Sequence, residues 1–411
     1  MRTPGRAVIL SVCCMVVLGA SCALAQDWPQ WRGESRDGTV AGVAQPAALP
    51  PALTTIWSVE VGEGAATPAL VGDRLYVFAR QGGEEVAICL SATDGIELWR
   101  NAYAEEPPDG PSGRHPGHPR SSPAVADGMM VTLGVRGVVS CLNAETGEVA
   151  WRTSPFPDSA PRFFTATSPL IIDGRAILHL GSDDGGALIA FSLANGEELW
   201  RWDGSGPAYA SPMPLTIGDD TQIVTLGAEG LAGVSLDDGS LLWEIAFRQE
   251  GRAYNAATPI IEGQSVIYSG LGRGTHAVRI VAADDGFAVE ELWSNTDVAV
   301  QFNTPVRVGD LLFGLSGGGN LFCLDAQTGE TKWVADERLD RSGFGATVGV
   351  GFAVLALPSS GELVAFEPTD AAYTELARMP VSETPTYAHP VLSGNRLFIK
   401  NERAVTLWTI Q

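Results

Sequence analysis

The sequence predicts an all-β protein in which eight four-stranded antiparallel sheets, or blades, form a closed ring, a β-propeller. Three observations predict this fold: the composition, a repeated strand–turn–strand unit that ends in Trp, and a second repeated unit before it. The 411 residues include 48 Gly and 26 Pro, and 45% are hydrophobic but only 18% charged. Such a chain is too apolar for disorder and too rich in turn residues for a helical bundle.

The first repeated unit is an apolar strand, a turn that contains Gly, and a short strand that ends in Trp. In five copies the turn Gly lies four residues before the Trp, whereas Gly286 lies seven residues before Trp293. The six copies are Val86 to Trp99, Val138 to Trp151, Leu188 to Trp200, Leu231 to Trp243, Ile280 to Trp293 and Asn320 to Trp333. Spacing this regular predicts a structural repeat.

The second unit precedes each copy and reads Ser or Thr, then Pro, an apolar strand, a turn with Gly or Asp, and another apolar strand. The pairs are Thr67-Pro68, Ser122-Pro123, Ser168-Pro169, Ser211-Pro212, Thr258-Pro259 and Thr304-Pro305. Gly and Asp supply the positive φ angles that tight hairpins require. The two units together therefore predict a four-stranded antiparallel meander.

The period and the chain ends predict how the ring closes. From Trp57 to Trp333, successive Trp residues of the pattern lie 40 to 52 residues apart, which is the length of a propeller blade. A degenerate blade without Trp is expected over Gly345 to Met379, and three strands follow from His389-Pro390. The segment Leu53 to Gly62 resembles a blade-ending strand without partners, so we expect it to complete the last blade. This gives eight blades, and seven is the alternative.

The first 25 residues are typical of a secretory signal peptide. Arg2 and Arg6 precede an apolar run, and Ala23-Leu24-Ala25 provides a cleavage site before Gln26. An alternative is a lipid anchor at Cys22, although Gly19 stands where a lipobox usually has Leu. No later apolar run reaches the length of a membrane helix. We therefore expect a signal peptide (1–25), an N-terminal arm (26–52), a propeller (53–411) and an exported protein of the periplasm or cell envelope.

The charge balance restricts the partners. The formal net charge is −22 at pH 7, which disfavours nucleic acid and anionic membrane surfaces as ligands. A protein or peptide partner is expected instead.

The turn-and-Trp motif resembles the repeat of PQQ-type (quinoprotein) propellers, which contains an acidic residue, Thr-Gly and a Trp that docks on the next blade. Asp325-Ala326-Gln327-Thr328-Gly329-Glu330-Thr331-Lys332-Trp333 is the best copy, and Glu145-Thr146-Gly147 to Trp151 is close. The resemblance covers about Leu53 to Gln411. It implies that the motif Trp residues are blade-docking residues: Trp57, Trp99, Trp151, Trp200, Trp243, Trp293 and Trp333.

Proteins with these repeats include PQQ-dependent dehydrogenases and non-catalytic propellers such as the outer-membrane barrel-assembly lipoprotein family. The segment Asp27 to Gly33, with Arg36-Asp37-Gly38 after it, is similar to exported PQQ-like repeat proteins of planctomycete-type bacteria. We interpret this segment as a capping arm whose two Trp residues cover blade edges.

The resemblance to the dehydrogenases implies a catalytic Asp, a Ca²⁺ held by Glu, Asn and Asp, and a ring of adjacent disulfide-bonded cysteines. The only Cys-Cys pair here, Cys13-Cys14, lies in the predicted signal peptide. The other cysteines are expected to be buried free thiols in a small apolar slot. They are Cys89, Cys141 and Cys323, which we align with Phe191, Val234 and Val281 of other copies.

The histidines give weak signals for a metal. His115 and His118 are the only close pair, in a Pro/Gly-rich loop over Asn101 to Arg120, and they are expected to be solvent-exposed because no third ligand is nearby. His179 lies in an apolar strand and is expected to be a hydrogen-bonded core residue. No metal site is therefore predicted.

Aromatic residues precede the Ser/Thr-Pro positions, where each chain segment arrives near the central axis. The candidate binding funnel comprises Arg120, Arg162, Phe163-Phe164, Tyr209, Tyr254-Asn255, Phe302-Asn303, Phe344 and Tyr387. Aromatic residues and Arg are enriched in binding hot spots and ligand mouths. The alternative is that these rings wedge between adjacent blades.

The sequence favours a non-catalytic, exported binding scaffold without a cofactor, acting in cell-envelope or outer-membrane protein assembly. An exposed outer strand could also pair with an extended peptide. The alternative is a PQQ- and Ca²⁺-dependent dehydrogenase of alcohols or sugars.

Overall fold

A computed structural model describes residues 26–410 except 44, 46–49, 51, 107–116, 158, 183, 250, 252 and 342. The predicted signal peptide, the alternative anchor Cys22 and the loop residue His115 lie outside the described residues. The described part of the chain consists of strands and connecting segments. It contains no helix long and apolar enough to cross a membrane.

The described residues form 32 strands in eight sheets of four. The first strand is β1 (Thr54–Glu60). Blade 1 contains β2 (Ala69–Val71), β3 (Arg74–Gln81), β4 (Glu84–Ser91) and β5 (Glu97–Ala104); blade 2 contains β6 (Ala124–Ala126), β7 (Met129–Leu133), β8 (Val139–Asn143) and β9 (Val149–Thr153); blade 3 contains β10 (Leu170–Ile172), β11 (Arg175–Ser182), β12 (Gly185–Ser192) and β13 (Glu198–Trp202); blade 4 contains β14 (Met213–Ile217), β15 (Asp220–Leu226), β16 (Gly230–Ser235) and β17 (Leu241–Ala246). Blade 5 contains β18 (Ile260–Glu262), β19 (Ser265–Gly270), β20 (Gly274–Ala283) and β21 (Gly286–Asn295); blade 6 contains β22 (Val306–Val308), β23 (Leu311–Leu315), β24 (Asn320–Asp325) and β25 (Thr331–Arg338); blade 7 contains β26 (Gly345–Gly349), β27 (Val354–Pro358), β28 (Glu362–Phe366) and β29 (Glu375–Pro380); blade 8 contains β30 (Val391–Ser393), β31 (Arg396–Lys400) and β32 (Ala404–Thr409).

The ring closes through the N-terminal strand. Blades 1 to 7 keep chain order across each sheet, whereas the last sheet has the order β30-β31-β32-β1. Strand β1 pairs antiparallel with β32, and Trp57 faces Leu407 in the register. The predictions of eight blades and of closure by the segment from Leu53 to Gly62 are confirmed. The closure leaves each blade with a neighbour on both sides, which a single sheet needs to bury its two faces.

Most of the motif Trp residues join their own blade to the next one. The Trp151 indole N–H donates to the Leu193 carbonyl oxygen at 2.9 Å, and the ring covers Gly196 in the turn of the next blade. A Cβ on Gly196, whose φ is +74°, would lie 2.6 Å from this ring. Equivalent N–H to carbonyl bonds of 2.7–3.2 Å join Trp57 to Ala92, Trp99 to Ala144, Trp200 to Leu236, Trp293 to Ala326 and Trp333 to Thr369. The Gly of the motif is therefore the position on which the Trp ring of the preceding blade packs, and we call this position the seat of that Trp.

Trp243 departs from this arrangement, because its indole N–H donates to Oε1 of Gln222 in its own blade, at 2.6 Å. Its ring lies over Gly233, whose Cβ, if present, would be 2.2 Å away. The next blade has longer strands, β20 and β21, and no heavy atom outside the immediate neighbours would lie within 4 Å of a Cβ on Gly286. Because Gly286 lies seven residues before Trp293 instead of four, blade 5 offers no Gly on which the Trp243 ring could pack.

Cys89, Cys141 and Cys323 are free and buried, as predicted. Each is paired across the strands with a motif Trp, at the residue just before a register shift: Cys89 with Trp99, Cys141 with Trp151, and Cys323 with Trp333. The other copies have Ala190, Gly233 and Ala277 at this position. The predicted equivalence to Phe191, Val234 and Val281 was wrong by one residue or more, and such a slip changes the face of the sheet. A small residue is needed beside the bulky indole.

His179 lies in the core between blades, as predicted. Its Nδ1 is 2.9 Å from the Thr225 hydroxyl and its Nε2 is 2.8 Å from the Ser205 carbonyl oxygen. Burial lowers the pKa of this imidazole from 6.5 to about 4. The side chain is therefore neutral in the folded protein near pH 7.

Candidate functional site

The Ser/Thr-Pro positions form a belt of hydrogen bonds around the axis. The Thr67 N–H donates to the Ser122 hydroxyl in the following blade at 3.0 Å, and the His389 N–H donates to the Thr67 hydroxyl at 2.9 Å, which links the last blade to the first. The same bond joins Ser122 to Ser168, Ser168 to Ser211, Ser211 to Thr258 and Thr258 to Thr304, at 2.9–3.2 Å. Each hydroxyl thus satisfies a buried backbone N–H where the inner strands begin.

The N-terminal arm occupies the axial channel. It starts at the β2–β3 turn, where the Gly72 N–H donates to Oδ1 of Asp27 at 2.8 Å. The Trp28 backbone then exchanges two hydrogen bonds with Leu70 of β2. At the belt, the Trp31 indole N–H donates to the Thr258 hydroxyl at 3.1 Å. The arm does cover blade edges, but they are the inner edges that face the channel.

Two buried arginines hold the arm in the channel. Arg32 donates to the Thr304 carbonyl oxygen at 2.9 Å and to the Pro305 carbonyl oxygen at 2.7 Å. On the other side of the axis, Arg36 donates to the Pro169 carbonyl oxygen at 2.9 Å. Burial lowers the pKa of Arg32 to about 10 and of Arg36 to about 9, so both remain charged at neutral pH. The sequence motif did not predict this role.

Above the belt lies a cavity of about 250 Å³ on the axis, and Trp31 forms its floor. Thr347 holds the equivalent place in blade 7, where its hydroxyl donates to the Thr304 carbonyl oxygen at 3.2 Å. The residues two positions before Thr347 and before each belt residue all line the cavity. In chain order these are Ala65, Arg120, Ala166, Tyr209, Ala256, Phe302, Gly345 and Tyr387. Small residues from odd-numbered blades alternate with large residues from even-numbered ones. Three odd-numbered blades add a ring from slightly earlier in the chain: Phe163, Tyr254 and Phe344.

The rings form two arcs around the mouth. In the first arc, Phe163 contacts Tyr254 at 5.3 Å and Tyr209 contacts Tyr254 at 5.8 Å between centroids, both edge to face. In the second arc, Phe302 stacks on Phe344 at 4.3 Å with only 5° between the planes. Tyr387 then meets Phe344 edge to face at 5.6 Å. The rings therefore line the cavity and contact one another around it.

Eight of the eleven residues named for the candidate funnel line the cavity: Arg120, Phe163, Tyr209, Tyr254, Phe302, Asn303, Phe344 and Tyr387. The other three do not. Arg162 is exposed, with its guanidinium 5.6 Å from the Phe163 ring centroid. Phe164 is buried, and its place at the mouth is taken by Phe163. Asn255 is also buried, where its amide donates to the carbonyl oxygens of Gly227 and Phe247. Adjacent residues point in different directions in these segments. The position of a residue in the repeat did not show which of two neighbours faces the cavity.

Sequence reasoning missed Trp31 and His389 as lining residues. Their rings meet at 4.5 Å between centroids. The position of His389 in the last copy of the repeat was a usable signal, whereas the path of the arm depends on tertiary contacts. His118 was also predicted incorrectly, since it is buried with its ring 5.4 Å from that of Phe164.

The cavity is apolar and contains a positive charge. The Arg120 guanidinium donates to the Phe163 carbonyl oxygen at 3.0 Å, and burial lowers its pKa to about 10, so it remains charged. Burial lowers the pKa of His389 well below 6.5, with a further contribution from Arg32, so this imidazole is neutral. The described lining residues include no Asp or Glu.

These side chains do not match the Ca²⁺ and PQQ site of a quinoprotein. Ca²⁺ takes six to eight oxygen ligands, usually with carboxylates among them. The Asn303 amide is already bonded to the Leu315 and Gly343 carbonyl oxygens, and Arg120 would repel a cation. Over the described residues, no three His, Cys, Asp or Glu side chains are close enough to hold a metal. We therefore derive no chemistry through that cofactor.

The fold and repeats define a PQQ-like, eight-bladed propeller. A family model described as outer membrane protein assembly factor BamB matches residues 84–335. This match covers more than half of the chain, and the chain belongs to that family.

Individual relatives are similar to this chain in sequence, and solved structures share its fold. A BamB from Yersinia pestis is 24% identical over 369 residues, which cover 85% of this chain and 81% of the relative. The crystal structure of BamB from Moraxella catarrhalis superimposes with a TM-score of 0.66 at 15% identity, over 87% of this chain and all of that one. Quinohemoprotein alcohol dehydrogenase from Comamonas testosteroni gives a TM-score of 0.68 at 15% identity, over 93% and 80% of the chains. The likenesses to solved structures show the fold alone.

Proposed function

We propose that this protein is an exported, non-catalytic scaffold that binds a polypeptide partner during outer-membrane protein assembly. The observation that carries the proposal is the match to the outer membrane protein assembly factor family across residues 84–335. The cell envelope is the compartment in which such a partner is met. The predicted signal peptide supports export, and its cleavage before Gln26 would leave a mature chain that starts with the arm.

The chemistry of the axial cavity supports binding. Aromatic rings surround the cavity, which is open at one end, and one arginine lies in its lining. This is the composition of a binding hot spot, in which a few aromatic residues and Arg carry most of the affinity. Among the described lining residues there is no Asp or Glu that could form an acid and base pair of the kind a dehydrogenase or hydrolase uses.

A deletion and complementation experiment tests the function. The gene is deleted in the source bacterium, and the outer-membrane fraction is quantified by mass spectrometry. We expect β-barrel proteins of that membrane to fall at least twofold, and the wild-type gene to restore them. The double variant Phe302→Ala, Phe344→Ala should restore them less well than the matched control Leu199→Ala, because Leu199 is half exposed on outer strand β13. Unchanged levels after deletion would overturn the proposal.

A second assay addresses the dehydrogenase alternative. Purified mature protein is titrated with PQQ and Ca²⁺, and dye reduction is followed with alcohols and sugars. We expect no stoichiometric uptake, because the donor groups around the cavity do not suit the metal. Uptake together with dye reduction would replace the scaffold by an enzyme and make the mouth an active site.

A further inference from the structure

The axial cavity has a shape that limits what can occupy it. Trp31 closes the floor and the arm fills the channel beneath, so a polypeptide cannot pass along the axis. A cavity of about 250 Å³ has room for one large side chain. With Trp31 at the floor, such a side chain would enter from the open end.

We propose that this cavity binds one aromatic side chain carried by an extended polypeptide. This inference rests on the proposed function, which supplies a polypeptide as the partner. It assigns the axial mouth, and not an outer strand edge, as the place where that partner is recognised.

The arrangement of the rings favours an aromatic occupant. Rings prefer offset-stacked or edge-to-face contacts at centroid distances of about 4.5–7 Å. Phe163, Tyr209 and Tyr254 already meet in this way, and Phe302 and Phe344 present a stacked pair opposite them. A further ring placed between the two arcs would make contacts of the same kind with several partners at once. An aliphatic side chain would gain only from burial.

Polar groups in the cavity suit the phenol of Tyr or the indole N–H of Trp. Tyr254 and Tyr387 both line the cavity, and each phenol hydroxyl can donate and accept a hydrogen bond. The His389 side chain is buried in the lining, and its Nδ1 has no partner among the described residues. Buried polar groups are normally hydrogen-bonded. A polar tip on an otherwise apolar ring would satisfy some of them.

Other ligand classes fit less well. Aromatic cages often bind cations, but the charge of Arg120 in the same lining opposes a Lys or Arg side chain. A sugar carries many hydroxyls that need partners, whereas the Asn303 amide is bonded to backbone and the Thr304 hydroxyl accepts from the Thr258 N–H. Few polar groups remain for a sugar.

The test uses purified protein that starts at Gln26 and is followed by saturation-transfer NMR and calorimetry. The probes are peptides of Gly and Ser that contain a single Trp, Tyr, Leu or Lys, with glucose and maltose as saccharide probes. We expect the Trp and Tyr peptides to bind at least tenfold more tightly than the Leu peptide. Equal affinity for the Leu peptide, tighter binding of the Lys peptide, or binding of a saccharide with no binding of the aromatic peptides would overturn the inference.

A cavity-filling variant localises the binding. Ala256→Leu places extra methyl groups inside the lining and should reduce the affinity for the Tyr peptide more than tenfold. Ala104→Leu, at an exposed position on β5, is the matched control and should bind as the wild type does. Near-UV circular dichroism verifies that both variants are folded. Retained binding by folded Ala256→Leu would contradict the assigned site.

The two proposals fail in different ways. If aromatic peptides bind but gene deletion leaves the outer-membrane proteins unchanged, the cavity assignment survives and the function in assembly does not. If deletion depletes those proteins but no aromatic peptide binds, the function survives and this inference is wrong.

Discussion

The sequence repeat is regular at the outer rim of the propeller, where the motif Trp residues lie. It is irregular at the axial mouth, where the cavity opens. At the rim, most of the motif Trp residues seat on a Gly of the next blade with nearly the same hydrogen bond. At the mouth, the positions two before the belt alternate between small and large residues, and Arg120 replaces an aromatic residue. Regularity at the rim follows from packing that every blade needs, whereas variation at the mouth shows that packing does not dictate those residues. The comparison therefore supports the proposal that the rim provides stability and the mouth provides recognition.

The largest expected effect comes from removing a seated Trp. Trp151→Ala should lower the free energy of unfolding by about 3–5 kcal/mol, the usual cost of a large aromatic truncation in a core. It also removes the indole hydrogen bond to the Leu193 carbonyl oxygen and leaves only the weak contact from Cys141 Sγ at 3.7 Å. Urea denaturation followed by far-UV circular dichroism measures the change. Leu199→Ala on β13 is the control and should cost less than about 1 kcal/mol, because that side chain is half exposed. Equal losses of unfolding free energy for the two variants would show that a Trp packed on the next blade stabilises the protein no more than an exposed side chain of the rim does.

The seat itself provides the next comparison. Gly196→Ala should cost about 3 kcal/mol, because a Cβ there meets the Trp151 ring and the φ of +74° is strained for Ala. Gly174→Ala in the same blade has a φ of +67° but no heavy atom within 4 Å, so only the strain of about 1–2 kcal/mol remains. The difference in denaturation midpoint between the two variants isolates the contact with Trp. If both variants lose the same stability, the seat contributes nothing.

The sequence predicted the rim better than the mouth for a physical reason. The number of blades follows from the local sequence period, and the closure follows from the need to pair the segment that forms β1. Both could therefore be predicted from the sequence. The composition of the mouth depends on which of two neighbouring side chains points inward, as Phe163 and Phe164 show. It also depends on the N-terminal arm, which is held by contacts with residues more than a hundred positions away in the chain. The Arg32 and Arg36 hydrogen bonds to distant carbonyl oxygens leave no local pattern. Trp31 therefore could not be placed in the site from sequence.

The interior between blades 3 and 4 gives a pH-dependent test. The pKa of His179 falls from 6.5 to about 4 on folding, so the unfolded chain binds a proton that the folded chain does not. Its contribution is complete above pH 6.5 and is lost as the pH falls from 6.5 towards 4, by about 2–3 kcal/mol. Urea midpoints measured over this range should decline more for the wild type than for His179→Gln, which cannot titrate. Parallel curves for the two proteins would show that this imidazole is not linked to stability.

The smallest effect on stability is expected at the mouth, and it separates recognition from packing. Phe302 is half-buried, and its main ring contact is the stacked ring of Phe344. Because the cavity is already open on its other side, Phe302→Ala should cost only about 1 kcal/mol, against the 3–5 kcal/mol expected for Trp151→Ala. The same urea experiment gives both values. A cost for Phe302→Ala as large as that of the rim Trp would mean that the mouth rings are wedges that hold blades together, and the division between a structural rim and a recognising mouth would fail.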